Sequence, residues 1–206
     1  MLGVVLAGVL VVLGNPLGSA ALGVISVLSF GLTVWPTFAA QEDAQSDGSA
    51  SYRLVQANLR FDNRTPEEFL RLVAEYRPDV MTLQEVSDLW ASKLQAIRSA
   101  YPHQLVCPGT NLIGGVAIVS RRPFVADSLS FCGKGGALAV QTVDFNGKWV
   151  TVSSIHLKWP WPHTQPQQLA AMQANFDAIA AAERLTLIGG DMNAAPWSAA
   201  VGLIWP

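Results

Sequence analysis

Five polar residues stand where apolar runs of this chain stop: Asn58, Glu85, His156, Asp191 and Asn193. Leu185, Leu187 and Ile188 form a run short enough for a buried strand, and Gly189-Gly190 breaks it just before Asp191. The strand therefore delivers a carboxylate at its end. Asn193 lies two residues on, where an extended chain points both side chains the same way, and Pro196-Trp197-Ser198 turns the chain aside. The glycine pair lets backbone or substrate come close, and an acid beside an amide suits a metal or a phosphate. Glu85 can hold Mg²⁺, Asn58 and Asn193 can orient oxygens, and the His156 imidazole can donate to a phosphate. A plainer alternative exists for each: a solvated turn at Asp191 and Asn193, a satisfied histidine at 156. Four such strand ends together are harder to dismiss.

The elements that position these residues follow from periodicity. A strand over residues 52–57 ends at Asn58, and Thr65-Pro66-Glu67-Glu68 reads as a capped helix start. Phe69, Leu72, Val73 and Tyr76 share one face of that helix. Residues 80–83 form the strand that delivers Gln84-Glu85, and a second helix capped by Ser87 carries Trp90, Leu94, Ile97 and Tyr101. Residues 114–120 are another strand. Residues 137–145 and 148–155 flank Asn146-Gly147, a strong hairpin signal, and the second arm ends at His156. A Trp-Pro loop then precedes a helix over residues 167–183, with Leu169, Met172, Phe176 and Ile179 inward.

The first charged residue is Glu42, so every Lys, Arg, Asp and Glu lies beyond it, with a formal balance of −2. A weakly acidic domain lacks the basic footprint of tight, non-specific nucleic-acid binding, without excluding nuclease chemistry. Residues 17–40 are apolar and long enough for a membrane helix. Residues 1–40 read as a membrane anchor of one or two transmembrane helices, with a cleaved signal peptide as the alternative. Residues 41–51 read as a flexible acidic linker, which places the domain over 52–206 outside the cytoplasm, on a bacterial inner membrane. Cys107 and Cys132 flank the apolar run over 114–119 and suit a disulfide there, two buried thiols being the alternative.

Asn58-Leu59, Leu83-Gln84-Glu85-Val86, Gly115-Val116-Ala117-Ile118-Val119-Ser120-Arg121, Ser154-Ile155-His156-Leu157 and Gly190-Asp191-Met192-Asn193 resemble, in this order, the motifs of the endonuclease/exonuclease/phosphatase superfamily. The Trp-Pro loop and Ala195-Pro196-Trp197-Ser198 are similar to a membrane-anchored bacterial branch. The resemblance implies an α+β, DNase I-like fold, a four-layer α/β/β/α sandwich, and cleavage of phosphoesters with Mg²⁺ or Mn²⁺. Glu85 then corresponds to the metal-binding glutamate and Asn58 to the asparagine beside it. His156 corresponds to the histidine that hydrogen-bonds the scissile phosphate, Asp191 to the aspartate that orients or activates water, and Asn193 to its phosphate-contacting neighbour.

The family closes with strands carrying a Ser-Asp-His motif, and the chain ends at Trp205-Pro206 before one occurs. It therefore reads as lacking its closing C-terminal strands, with little or no turnover expected, and His163 as a candidate replacement for the base. The expected function is a membrane-tethered, metal-dependent phosphodiesterase, nuclease or phosphatase acting on nucleic acid, phospholipid or a small phosphate ester. No protein partner is evident. The competing reading is a catalytically silent chain or a module that binds phosphorylated ligands, and a third is a purely structural domain on an anchor.

Overall fold

The structure, a computed structural model of the 206-residue chain, describes residues 16–39, 51–161, 164–195 and 198–204. Residues 1–15 of the expected anchor, residues 41–50 of the expected linker, His163, the Pro196-Trp197 turn and the Trp205-Pro206 end lie outside the described residues. Helix α1 (Pro16–Ala39) bears no charged residue. Among the described residues no helix is long and apolar enough to cross a membrane.

The domain is built on two four-stranded sheets. In the first, β1 (Leu54–Asn58), β2 (Val80–Val86), β3 (His103–Cys107) and β4 (Gly115–Ser120) lie in the order β1-β2-β4-β3. In the second, β5 (Ser130–Cys132), β6 (Leu138–Phe145), β7 (Lys148–His156) and β8 (Thr186–Asp191) run in chain order. Each sheet has one parallel pair, β1 with β2 and β7 with β8, and antiparallel pairing elsewhere. A parallel pair needs a crossover. Helices α2 (Pro66–Tyr76) and α4 (Thr164–Ala181) supply the two crossovers, and α3 (Asp88–Ala96) and α5 (Ala199–Ile204) follow β2 and β8.

Period-two alternation sorts the strand side chains into layers. Met81 and Leu83 of β2 and Ala117 and Val119 of β4 pack with Val73, Trp90 and Leu94 of α2 and α3. Their neighbours Val80, Val116 and Ile118 face Ala139, Val143 and Val152 of the other sheet. On the far side, Leu138, Val140 and Ile155 meet Leu169, Met172, Phe176 and Ile179 of α4, the inward face its spacing predicts, and Ile204 of α5. Three apolar seams thus separate four layers, helices outside and sheets within. Each fully buried aliphatic side chain here contributes roughly 1.5–3 kcal/mol.

Several local expectations change. The Asn146-Gly147 hairpin forms, with positive φ at both residues as a two-residue loop requires. Thr65 and Ser87 precede α2 and α3 but make no side-chain cap. Thr65 instead donates its N–H to Asn63 Oδ1 (2.8 Å), and the Ser87 hydroxyl donates to the Phe61 carbonyl (2.9 Å). Helix α3 stops before Ile97, so Tyr101 is buried beyond the helix rather than on it. Pro102 disfavours helical backbone at the residue before it.

Candidate active site

Asn58, Glu85, His156 and Asp191 lie at or next to the carboxyl ends of β1, β2, β7 and β8, and the fold brings them together from both sheets. The Asn58 amide nitrogen donates to Glu85 Oε1 (3.0 Å) and to Asp191 Oδ2 (2.9 Å). Its amide oxygen accepts the Arg60 N–H (2.9 Å). One neutral side chain thus joins a carboxylate of the first sheet to a carboxylate of the second. Glu85 Oε2 also accepts the Phe61 N–H at 3.0 Å.

Glu85 owes its direction to an irregularity in β2. Register with β4 shifts between Gln84 and Val86, and Glu85 takes φ 57. A left-handed conformation on a residue with a side chain costs on the order of 1–3 kcal/mol and persists where surrounding contacts hold it. Here both carboxylate oxygens are held.

Across the sandwich, His156 pairs in register with Asp191. Its N–H donates to the Ala137 carbonyl (2.9 Å) and its carbonyl accepts Gln168 Nε2 (3.2 Å). Backbone bonds on both sides hold the residue, and among the described residues no hydrogen bond engages its imidazole, which borders the cleft. Asn193 departs from the extended geometry expected of it. Its φ is 43, its N–H donates to Asp191 Oδ1 (3.0 Å), and its amide nitrogen donates to the Leu157 carbonyl (2.7 Å). This is an Asx-type turn, in which the aspartate side chain takes the place of the next backbone pair.

The glycine pair before Asp191 does what close approach requires. A Cβ at Gly189 would collide with the Thr82 hydroxyl of the opposite sheet, and one at Gly190 with the Ile155 carbonyl. Beneath the site, Gln56 Nε2 donates to Gln84 Oε1 (2.6 Å), and Gln84 Nε2 donates to the Ser154 hydroxyl (2.9 Å), which donates in turn to the Leu83 carbonyl (3.0 Å). The buried part of this hydrogen-bond chain, Gln84 to Ser154, crosses from sheet to sheet one residue before Glu85 and two before His156. Gln84 was visible only as part of a motif, and Gln56 and Ser154 as polar interruptions of apolar runs.

A cleft of about 460 Å³ opens above these groups. Lys158, Trp159 and Gln168 line one side, and Thr110, Asn111, Ile113 and Gly114 with Gly135 and Gly136 of the short 3-10 turn Lys134–Gly136 line the other. The Cys107–Cys132 disulfide, with Cα atoms 5.5 Å apart, ties β3 to β5 and so one sheet to the other at this wall. Gly136, at φ 70, abuts the Pro108 carbonyl, where a Cβ would not fit.

Among the described residues no cluster of three or more His, Cys, Asp or Glu side chains forms an all-protein metal cage. Mg²⁺ does not need one, since it binds through one or two carboxylates and keeps several waters. Two carboxylates converging on one uncharged amide leave negative charge that a hard cation would neutralise. The donor set therefore fits such an ion.

The sequence profile of the Endonuclease/Exonuclease/phosphatase family matches residues 55–205. No curated protein matches the chain. Among solved structures, the chain is similar to D. rerio TDP2 complexed with a single-strand DNA product, at 20% identity and TM-score 0.57 over 76% of this chain and 65% of that one. It is also similar to Staphylococcus aureus beta toxin with bound magnesium ions, at 20% and 0.55 over 75% and 69%. A third likeness is to a family protein from Leptotrichia buccalis, at 17% and 0.53 over 75% and 72%. The chain thus spans about two thirds of the structures whose fold it shares. With the profile covering both sheets and every strand end of the cleft, this chain belongs to the Endonuclease/Exonuclease/phosphatase family.

Proposed function

We propose that the chain is a divalent-metal-dependent phosphoester hydrolase, a phosphodiesterase, nuclease or phosphatase, tethered to a membrane. The observation that carries this reading is the Asn58 amide joining Glu85 to Asp191 beside His156 at the base of the cleft. Glu85 would hold Mg²⁺ or Mn²⁺. When bound, the ion supplies charge neutralisation at the phosphoryl oxygens. Asn58, whose amide oxygen is engaged by Arg60, sets the spacing of the two carboxylates and would help Glu85 hold the ion. His156 donates a hydrogen bond to a phosphoryl oxygen, because among the described residues no hydrogen bond directs its imidazole elsewhere. Asp191 accepts a proton from the attacking water and aligns it, while its second oxygen is fixed by the Asn193 N–H. Asn193 holds the Leu157 backbone and keeps the phosphate end of the cleft in shape. Phosphoester cleavage needs this positioning and charge neutralisation more than it needs covalent help.

Helix α1, uncharged and exposing Val24, Ile25, Val27, Leu28, Phe30 and Leu32, supports the tether. The disulfide supports an extracytoplasmic domain on a bacterial inner membrane, because such bonds persist in oxidising compartments. One observation favours a second reading, a phosphate-binding module without turnover. Among the described residues a single histidine lines the cleft, and no carboxylate hydrogen-bonds it. Calorimetric titration of Mn²⁺ tests the metal assignment common to both. Wild-type protein should bind, and Glu85→Ala should weaken binding by more than about 100-fold, since outer partners alone are worth about 10- to 100-fold. Equal affinity in the two would remove Glu85 from the metal site.

A further inference from the structure

The mouth of the cleft is rimmed by large apolar side chains that hydrolysis does not use. On one side, Trp159 lines the cleft and is 71% exposed, and Trp161 in the same loop is 75% exposed. On the other, Ile113 lines the wall and its neighbour Leu112 is 88% exposed. Single exposed hydrophobics are ordinary on a protein surface. Here two loops from different sheets, the β3–β4 loop and the β7–α4 loop, bring Ile113 and Trp159 to one opening and carry Leu112 and Trp161, still more exposed, beside them in sequence.

We infer that this rim docks the cleft mouth onto a lipid bilayer, with Trp159 and Trp161 at headgroup level and Leu112 reaching the acyl boundary. Indole rings, apolar in body and polar at the N–H, favour that interface. Two features select a bilayer over a nucleic-acid strand. Leu112 has no π-face on which a base can stack, and Lys158 is the one Lys or Arg lining the cleft among the described residues, on a chain of net charge −2. The tether permits the contact. The chain enters the domain at the amino end of β1, the pole away from the cleft, and β7, which runs from that pole to His156, is nine residues, roughly 30 Å, long. Residues 40–50 between α1 and the domain can reach roughly 35–40 Å when extended. The inference goes beyond the hydrolytic reading and does not depend on turnover.

The full chain would be reconstituted into phosphatidylcholine vesicles, with an environment-sensitive fluorophore on L112C or, as control, on E75C near the end of α2. Brominated acyl chains should quench the Leu112 label by about twofold or more and leave the Glu75 label unchanged. Trp159→Ser with Trp161→Ser should abolish that quenching, and both sites are exposed enough to leave the fold intact. Chain that floats with the vesicles while its Leu112 label stays unquenched would overturn the docking rim and leave the tether standing. A single-stranded oligonucleotide that shifts the Leu112 label where vesicles do not would overturn it in favour of base stacking.

Discussion

Asn58 and Asp79 show how single polar side chains organise opposite ends of the first sheet. Asn58 joins two carboxylates at the cleft, whereas Asp79, at the other pole and 6% exposed, gathers the Arg53 N–H (2.9 Å), Arg122 Nε (2.9 Å) and Arg121 Nη2 (3.2 Å). Burial raises the Asp79 pKa, but the Arg53 N–H and the two guanidiniums outweigh it and hold the carboxyl below its usual 3.8. A carboxylate depressed on folding stabilises the protein above its unfolded pKa, and that stabilisation is lost as pH falls through the lower folded value. Asp79→Asn should therefore lower stability by about 2 kcal/mol at pH 7 and by less at pH 3, measured by urea unfolding at both pH values. An unchanged midpoint at pH 7 would mean that the network contributes nothing. Glu85, His156 and Asp191 were legible because each ends an apolar run. Gln84, Ser154 and Gln168 were not, because their partners lie in another strand or helix and no local pattern announces them.

Among the elements, the long alternating or apolar strands and α4 could be read directly. Strands β3 and β5 could not: β3 is half-buried along most of its length, and β5 has three residues. Yet these two carry the cysteines. The spacing of Cys107 and Cys132 around an apolar run suggested a bridge, but not that it would join the two sheets. It closes a loop of 25 residues, which chain-entropy arguments value at about 3 kcal/mol. Cys107→Ser with Cys132→Ser, or reduction, should lower unfolding stability by about that amount. Because the bridge ties the ends of β3 and β5 from which the cleft-lining segments at 110–114 and 135–137 continue, the double variant should also bind Mn²⁺ less tightly. Unchanged stability would show that Gly136 packing against Pro108 suffices to hold the sheets together there.

For the whole molecule, the two sheets meet where their parallel pairs end, and neither sheet alone holds a complete site. Glu85 and Asn58 come from one, His156 and Asp191 from the other, and the buried Gln84–Ser154 bond fixes one against the other. That division was implicit in the order of the sequence motifs, but the Asn58 contact across it was not, since 133 residues separate Asn58 from Asp191. The central claim is that these groups act together on a phosphoester. The most direct test is turnover of bis-p-nitrophenyl phosphate by the full chain with Mg²⁺ or Mn²⁺, beside Asp191→Ala. The sequence alone leads to an expectation of little or no turnover, but with Asp191 held by Asn58 and Asn193 the account predicts slow, metal-dependent hydrolysis that falls by about 10²- to 10⁴-fold in the variant, the usual cost of losing a positioned proton acceptor. Hydrolysis that is equal in the two proteins, or undetectable in the wild type with metal bound, would contradict it.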